Sequence, residues 1–405
     1  MSCAKSELCI FDTARPQVVV ENAVFEEIYP TNAVTEKSST IEFNIIGSNT
    51  EYLDLNDTLL LIEVEVQFAS KAGTAAPDVT PSNYMFHKLF SDVLVYLNNE
   101  KIEGGNGSYA DKATIETILN YSTDTKNTTL QAIGYHDSDN ERKSWLKEGE
   151  SLEMCGSLKI DFFDQPKYLI PGVNVKIKLI KNNPIHMFQC KTSTPKLTFK
   201  NAKLFVRRVK VDQSVLIGHQ LGLNTQNAIY PYRKSQLVSY TVTKGSNSFY
   251  KDQIFGDNRL PKFVLIAFQE STNNSAFSLD VDRYFHFNVG SISLSRNSDY
   301  KETYTQDFAK GSYVTSYVTS LIRNMGGLDK NINNGISMID FRDTYPFFTF
   351  VLAPDFDFHQ TQMPKQGNVR LDIKFDKPLQ TGISILVYGL FDGEIQINKN
   401  RTIFV

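Results

Sequence analysis

The sequence predicts an all-β protein: two tandem eight-stranded jelly-roll barrels (a double jelly roll) with short helices in the loops. Three observations predict it. Many short segments alternate apolar and polar residues, long helical patterns are scarce, and weak internal matches recur at about half the chain length.

The alternation has period two, the mark of a sheet with one buried face. In residues 62–68, Ile62, Val64, Val66 and Phe68 face a core, while Glu63, Glu65 and Gln67 face water. In residues 369–375, Val369, Leu371, Ile373 and Phe375 face in, with Arg370, Asp372 and Lys374 out. Val175, Ile177 and Leu179 are expected inside, with Lys176 and Lys178 outside. The best helical stretch is 313–325, where Tyr313, Val314, Tyr317, Val318, Leu321, Ile322 and Met325 fall on one face.

Three matches carry the repeat. Gly107, Ser108 and Tyr109 open a helix-like segment ending at 118–120; Gly311, Ser312 and Tyr313, 204 positions on, open another holding Ile322 and Asn324. Leu94, Tyr96 and Asn99 match Ile292, Leu294 and Asn297 at an offset of 198. Asn174, Val175, Lys176 and Ile177 match Asn368, Val369, Arg370 and Leu371 at an offset of 194. Their consistent order makes duplication a better reading than the shared strand–turn–strand grammar of β-proteins.

The division that follows is an N-terminal arm (1–16), a first jelly roll (17–211), a connector (212–225), a second jelly roll (226–397) and a C-terminal tail (398–405). The connector has a helical apolar pattern in Val215, Leu216 and His219 and a helix stop at Gly222. Each half holds about eight strand-like runs with a helix-bearing excursion in the middle, the content of a Greek-key sandwich whose two sheets close over one core.

Composition narrows the function. A chain of 405 residues with 41% hydrophobic residues buries a sizeable core. Lys and Arg number 42 against 45 Asp and Glu, for a net charge of -3 without a long run of one sign, so the basic stripe of a nucleic-acid binder is missing. The first 16 residues mix Lys5 and Arg15 with Glu7 and Asp12 and lack the apolar stretch of a signal peptide, which reads as no export. The aliphatic run 59–62 meets Glu63 and Glu65 at once, far short of a membrane helix of about 20 residues. In a large chain made in the cytosol, Cys3, Cys9, Cys155 and Cys190 are expected reduced. Matches to the glycosylation pattern, such as Asn106 to Ser108 and Asn127 to Thr129, then carry little weight.

Candidate chemistry is thin. Asp355, Asp357 and His359 alternate with Phe356 and Phe358, and two carboxylates with an imidazole suit a divalent metal; a strand end with buried phenylalanines and a wet polar face explains them as well. His87, His136, His186, His219, His286 and His359 are scattered, without HxH or HExxH spacing. His136 with Asp137 and Asp139 lies in a polar turn stretch. Gly104, Gly105 and Gly107 follow a strand, yet no lysine stands where a phosphate loop needs it, so they read as a turn. Arg207 and Arg208, with Lys203 and Lys210, read as a solvated strand edge or an intersubunit salt bridge, because few aromatics flank them for base stacking. No catalytic, cofactor-binding or metal residue is assigned, and no cofactor.

The runs at 89–98 (LFSDVLVYLN), 168–180 (YLIPGVNVKIKLI), 204–211 (LFVRRVKV), 228–233 (AIYPYR), 365–373 (KQGNVRLDI) and 387–397 (VYGLFDGEIQI) resemble the hexon-like major capsid protein of Polinton (Maverick) elements and adintoviruses, from about Val18 to the C-terminus. The resemblance implies a non-enzymatic virion protein that forms a pseudo-hexagonal homotrimer and tiles an icosahedral shell through lateral capsomer contacts. It further implies penton and minor capsid proteins as partners, enclosed double-stranded DNA without strong direct binding, no membrane span, and assembly in the host nucleus or cytoplasm. Modest loops, at 71–82 and 123–140, imply low outer towers; the N-terminal arm and the tail are candidates for clasping neighbours. The alternative is a two-jelly-roll binding module or metal-dependent enzyme, which calls for clustered His and Met ligands or an exposed aromatic platform, neither of them visible.

Overall fold

A computed structural model describes residues 19–32, 34, 39–67, 79–147, 149–190, 195–256, 258–271, 283–297, 300–326, 333–353, 361, 363 and 365–405. Strands in the first half are β1 (Val20–Ile28), β2 (Thr40–Ile45), β3 (Glu51–Gln67), β4 (Thr80–Pro81), β5 (Phe90–Leu97), β6 (Glu100–Glu103), β7 (Ser151–Gly156), β8 (Val175–Lys181), β9 (Phe188–Gln189) and β10 (Lys196–Val211). The second half has β11 (Ala228–Val242), β12 (Ser248–Lys251), β13 (Phe263–Glu270), β14 (Val289–Arg296), β15 (Tyr300–Thr305), β16 (Phe348–Val351), β17 (Val369–Phe375), β18 (Ile383–Ile397) and β19 (Ile403–Phe404).

All pairings among these strands stay within a half and are antiparallel. The first half forms the sheets β1-β10-β3-β7 and β2-β8-β5-β6, with β4 and β9 as a small ribbon. The second forms β11-β18-β13-β16 and β12-β17-β14-β15, with β19 added to β18. Setting aside the ribbon and β19, each half has eight strands, and both sets read 1-8-3-6 in one sheet and 2-7-4-5 in the other. That order is a jelly roll, in which consecutive strands alternate between facing sheets except at the 4–5 hairpin, so that both inner faces close over one core.

The alternation places that core as expected. Ile62, Val64 and Val66 are buried, as are Val175, Ile177 and Leu179, and Val369, Leu371, Ile373 and Phe375. Phe68 lies outside the described residues. Lys176 and Lys178 point the other way and both reach Glu42 on β2, at 3.6 and 3.0 Å.

The repeat holds with one correction of register. Val95 pairs with Ile177 in the first barrel and Leu294 with Leu371 in the second, so β5 and β14 correspond at an offset of 199 rather than 198. A one-residue slip turns every side chain to the opposite face. Leu94 is accordingly only half-buried where Ile292 is in the core. Asn98, not the adjacent and identical Asn99, is the counterpart of Asn297.

Helices fill the connections. α1 (Met85–Lys88) precedes β5, and α2 (Tyr109–Asn120), α3 (Thr123–Asn127) and α4 (Asp139–Ser144) lie between β6 and β7. The 123–140 stretch is thus helical in part, not a plain loop. The connector is α5 (Gln213–Gly222), begun by Asp212, whose carboxylate accepts the Ser214 N–H at 2.8 Å. Between β15 and β16, α6 (Val314–Tyr317) runs into a π-helical turn over Val318–Arg323, and α7 (Met338–Asp343) follows. The wider turn re-aims the face expected from regular spacing. Val314 is exposed, and Ser316, Ser320 and Asn324 are buried beside Tyr313 and Leu321.

The tail is also tied down. β19 pairs with β18, Ile403 is buried, the Arg401 guanidinium donates to the Pro171 carbonyl at 2.6 Å, and the Asn98 amide donates to the Arg401 carbonyl at 2.9 Å. It clasps its own chain, joining the end of the second barrel to the first.

Candidate functional site

The residues singled out from the sequence do not converge on a reaction centre. Asp355, Asp357 and His359 lie outside the described residues, and no cluster of three metal-ligating side chains occurs among the described ones. Near His136, the buried Arg142 donates to the carbonyls of Pro81 and His136 and pairs with Asp139, while Tyr135 donates to Asp137. This network ties α4 to the β4 ribbon. His87 is buried against the Tyr109 hydroxyl at 3.1 Å, and burial pushes its pKa down to about 3, so it stays neutral.

The glycine-rich turn has a definite job. Its Gly105 and Gly107 N–H groups donate to one oxygen of the buried Asp92 at 2.7 and 3.1 Å, and the Val93 N–H donates to the other at 2.9 Å. A nest of N–H groups that could cradle a phosphate is filled by the protein's own carboxylate. Gly105 and Gly107 adopt φ of 104° and 66°, a region glycine enters without strain.

The basic residues of β10 are neither on an edge nor free. β10 lies between β1 and β3, and it pairs across to both: Lys203 with Glu27, Arg208 with Glu26, Lys210 with Glu21, and Arg207 with Asp54 and Asp57. The expected strand edge is thus corrected: β10 is an inner strand whose basic residues pair with acids of β1 and β3 in the same chain. Cys155 is a free thiol and Cys190 is buried; Cys3 and Cys9 lie outside the described residues.

The most organised polar site is the seam between the barrels, which the sequence reading missed. Lys112 on α2 sits between Glu103 at 2.8 Å and Asp161 at 2.7 Å. Asp161 also accepts the Ser235 N–H and hydroxyl from β11, at 2.6 and 2.9 Å. The Tyr388 hydroxyl on β18 donates to Glu116 on α2 at 3.0 Å. Arg233 pairs with Asp164 at 2.8 Å, and Tyr230 bridges the Tyr168 carbonyl and the Ile170 N–H. Phe162 packs edge-on against Tyr230 and Tyr232. Beside this lattice lies a cavity of about 320 Å³ lined by residues of both barrels, among them Leu55, Glu116, Asp161, Arg233 and Tyr388.

The electrostatics of the seam follow from burial and from the charges that face one another. Burial alone would lower the Lys112 pKa, but Asp161, Glu103 and Glu116 outweigh it and hold the ammonium well above its usual range. Burial and the Asp161 charge raise Glu103 against the pull of Lys112. Glu116 is pushed up to about 7 chiefly by burial, with Asp161 adding to the rise and Lys112, Tyr388 and Lys159 opposing it. The one trace in the sequence was Lys112 and Glu116 at helical i,i+4 spacing on a segment otherwise apolar inward.

Two eight-stranded jelly rolls of identical strand order in one chain make a double jelly-roll fold. Comparison with solved structures agrees. A chain of the Sputnik virophage matches with a TM-score of 0.67 at 12% identity, over 100% of this chain and 92% of that one. The PBCV-1 virus capsid model matches with a TM-score of 0.62 at 13% identity, over 96% and 97%. The mavirus major capsid protein matches with a TM-score of 0.56 at 10% identity, over 99% and 92%. A curated relative, uncharacterized protein F54H12.2 of Caenorhabditis elegans, is 22% identical over 93% of this chain and 95% of its own. No protein-family model matches.

Proposed function

We propose that this chain is a major capsid protein that forms a pseudo-hexagonal homotrimer and tiles an icosahedral shell, in the manner of the hexon-like proteins of Polinton elements and adintoviruses. The observation that carries the reading is the twofold occurrence of one eight-stranded order in a single chain. Three copies of two similar barrels give a ring of six, which fills a hexagonal lattice position without six identical subunits, and closed rotation within the ring stops open-ended growth. The barrels divide near residues 17–211 and 226–397, with 212–225 between them.

On this reading the chain has no catalytic role. Its work is self-association, with penton and minor capsid proteins completing the shell around double-stranded DNA in the virion. Balanced charge and the paired arginines of β10 suit a wall that encloses DNA without gripping it.

Light scattering and negative-stain microscopy of the purified protein test the proposal. The expected result is a species of about three times the 45.9 kDa chain mass, or closed particles. A folded monomer that persists at high concentration, without particles at any salt or pH, overturns it in favour of a binding module.

A further inference from the structure

We infer that the groove between the connector helix and the barrels is the receptor for the N-terminal segment of the same chain, seated through Leu8, Ile10 and Phe11. This inference stands apart from the capsid reading, since it concerns a contact within one subunit.

The groove holds about 550 Å³ and is mostly apolar. Val215, Gly218, His219 and Gly222 of α5 form one wall; Val211, Ile170 and Ile229 belong to the facing barrels. The positions 215, 218, 219 and 222 follow the i, i+3, i+4, i+7 rule, so they share one helix face. No residue of α5 is buried. A helix is normally held by packing of an apolar face; in α5, Val215 and Leu216 pack partly against the core and His219 meets the Tyr52 hydroxyl at 2.7 Å, which leaves the Gly218 and Gly222 part of the face uncovered.

The two glycines sharpen the point. Glycine inside a helix is destabilising relative to alanine. A Cβ at Gly218 or Gly222 would meet nothing within 4 Å, so no described neighbour requires either glycine. Their missing side chains keep the groove open to another segment of backbone.

Chain continuity says which segment. Val19, the first described residue, itself lines the groove, and its carbonyl accepts the Asp212 N–H at 2.8 Å beside the start of α5. Eighteen residues precede it. Ten residues extend at most about 33 Å, so the segment around Cys9 reaches the groove without leaving its own subunit. That segment reads Glu7-Leu8-Cys9-Ile10-Phe11-Asp12, an apolar run between two acids. Lys167 stands on the groove lining, where its ammonium donates to the Ile229 carbonyl and has no carboxylate partner among the described residues. It complements an acid flanking the apolar run. Linkage to the chain gives the contact a high effective concentration, which a neighbouring copy lacks.

The test uses the natural Cys9. In the full chain carrying Cys3→Ser and Cys155→Ser, Gln226→Cys places a thiol on the groove lining, and mild oxidation is followed by non-reducing electrophoresis and intact-mass measurement. The expected product is a disulfide within one chain, a single-chain mass lighter than the reduced protein by the two hydrogens that the oxidant removes. Adding Gly218→Leu, which has open space to occupy, is expected to cut the cross-linked fraction at least tenfold; Phe11→Asp, which changes no residue of α5 or of a barrel strand, is expected to do the same and covers the case in which the helix variant misfolds. A product of doubled mass assigns the groove to a second copy and overturns the inference, as does the absence of any cross-link, or a cross-link that survives Phe11→Asp undiminished.

Discussion

Asn98 and Asn297 occupy one and the same position in the two barrels. Each donates its backbone N–H to an asparagine carbonyl at the entry of the penultimate barrel strand, Asn174 at 3.0 Å and Asn368 at 2.9 Å. Each side-chain oxygen accepts that partner's N–H in return, at 2.8 Å in both cases. A reciprocal clamp of this kind, repeated 199 residues apart, is the clearest structural trace of the duplication.

The clamp makes a direct prediction. Asn98 and Asn297 have φ of 45° and 48°, where asparagine is tolerated and a β-branched residue is strained. Asn98→Val therefore adds strain to two lost hydrogen bonds and is expected to reduce stability by roughly 2–4 kcal/mol in urea unfolding. Asn98→Gly, which loses the same two hydrogen bonds but keeps the backbone conformation without strain, is expected to cost about 1–2 kcal/mol. Equal losses for the two would remove the strain from the account.

How legible was this in the sequence? The fold was, because period-two alternation directly encodes which face of each strand is buried, and Val175 to Leu179 and Val369 to Phe375 carry it cleanly. Two helices were too, since α2 and α5 start and stop at polar or small residues, whereas α3 and α4 fall in a polar stretch that reads as a loop. The seam was not. Lys112, Asp161 and Tyr388 are far apart in sequence, each an ordinary residue in its own segment, and only the docking of α2 and β18 makes them neighbours. Nor could spacing reveal that Arg207 and Arg208 meet acids on β1 and β3, because strand order within a sheet is a long-range property.

The buried register is tested by a matched pair on β8. Ile177 is fully buried, and Ile177→Ala is expected to lose about 2–5 kcal/mol. Lys176 is half-exposed and pairs with Glu42 at 3.6 Å, so Lys176→Ala is expected to lose under about 1 kcal/mol. Equal falls in melting temperature would refute the register.

Lys112 offers a sharper test of the seam. Replacing it with Met keeps much of the packing but strands Glu103 and Asp161 without their counter-charge, which is expected to cost about 3–5 kcal/mol. Adding Glu103→Gln should restore part of that loss, because one stranded charge is gone. A double variant less stable than Lys112→Met alone would mean that the carboxylate has another partner.

Metal removal is expected to leave the protein unchanged. Among the described residues no cluster of ligands is available to couple binding to folding. Melting temperatures with and without EDTA should coincide. A drop of several degrees would bring forward Asp355, Asp357 and His359.

The pH dependence follows from Glu116. Its folded pKa is raised from the model-peptide range of about 4.3 to about 7. At pH 6 the folded protein therefore holds a proton on Glu116 that the unfolded chain has released. Stability falls with rising pH wherever the folded state binds more protons. The contribution is thus fully present below the unfolded pKa and is lost as pH climbs through the folded value, a window from about 4 to 7. Two charges nearby, Lys112 and Lys159, favour ionisation, while burial and Asp161 oppose it. Glu116→Gln keeps a neutral side chain in place at every pH and an oxygen for the Tyr388 hydroxyl. It is expected to gain on the order of 2 kcal/mol over the parent at pH 8 and to converge with it near pH 4. Thermal melts of both proteins across that range check the sign: parallel curves, or a variant that loses ground as pH rises, would show that Glu116 is ionised in the folded seam at neutral pH and that Lys112 sets its charge.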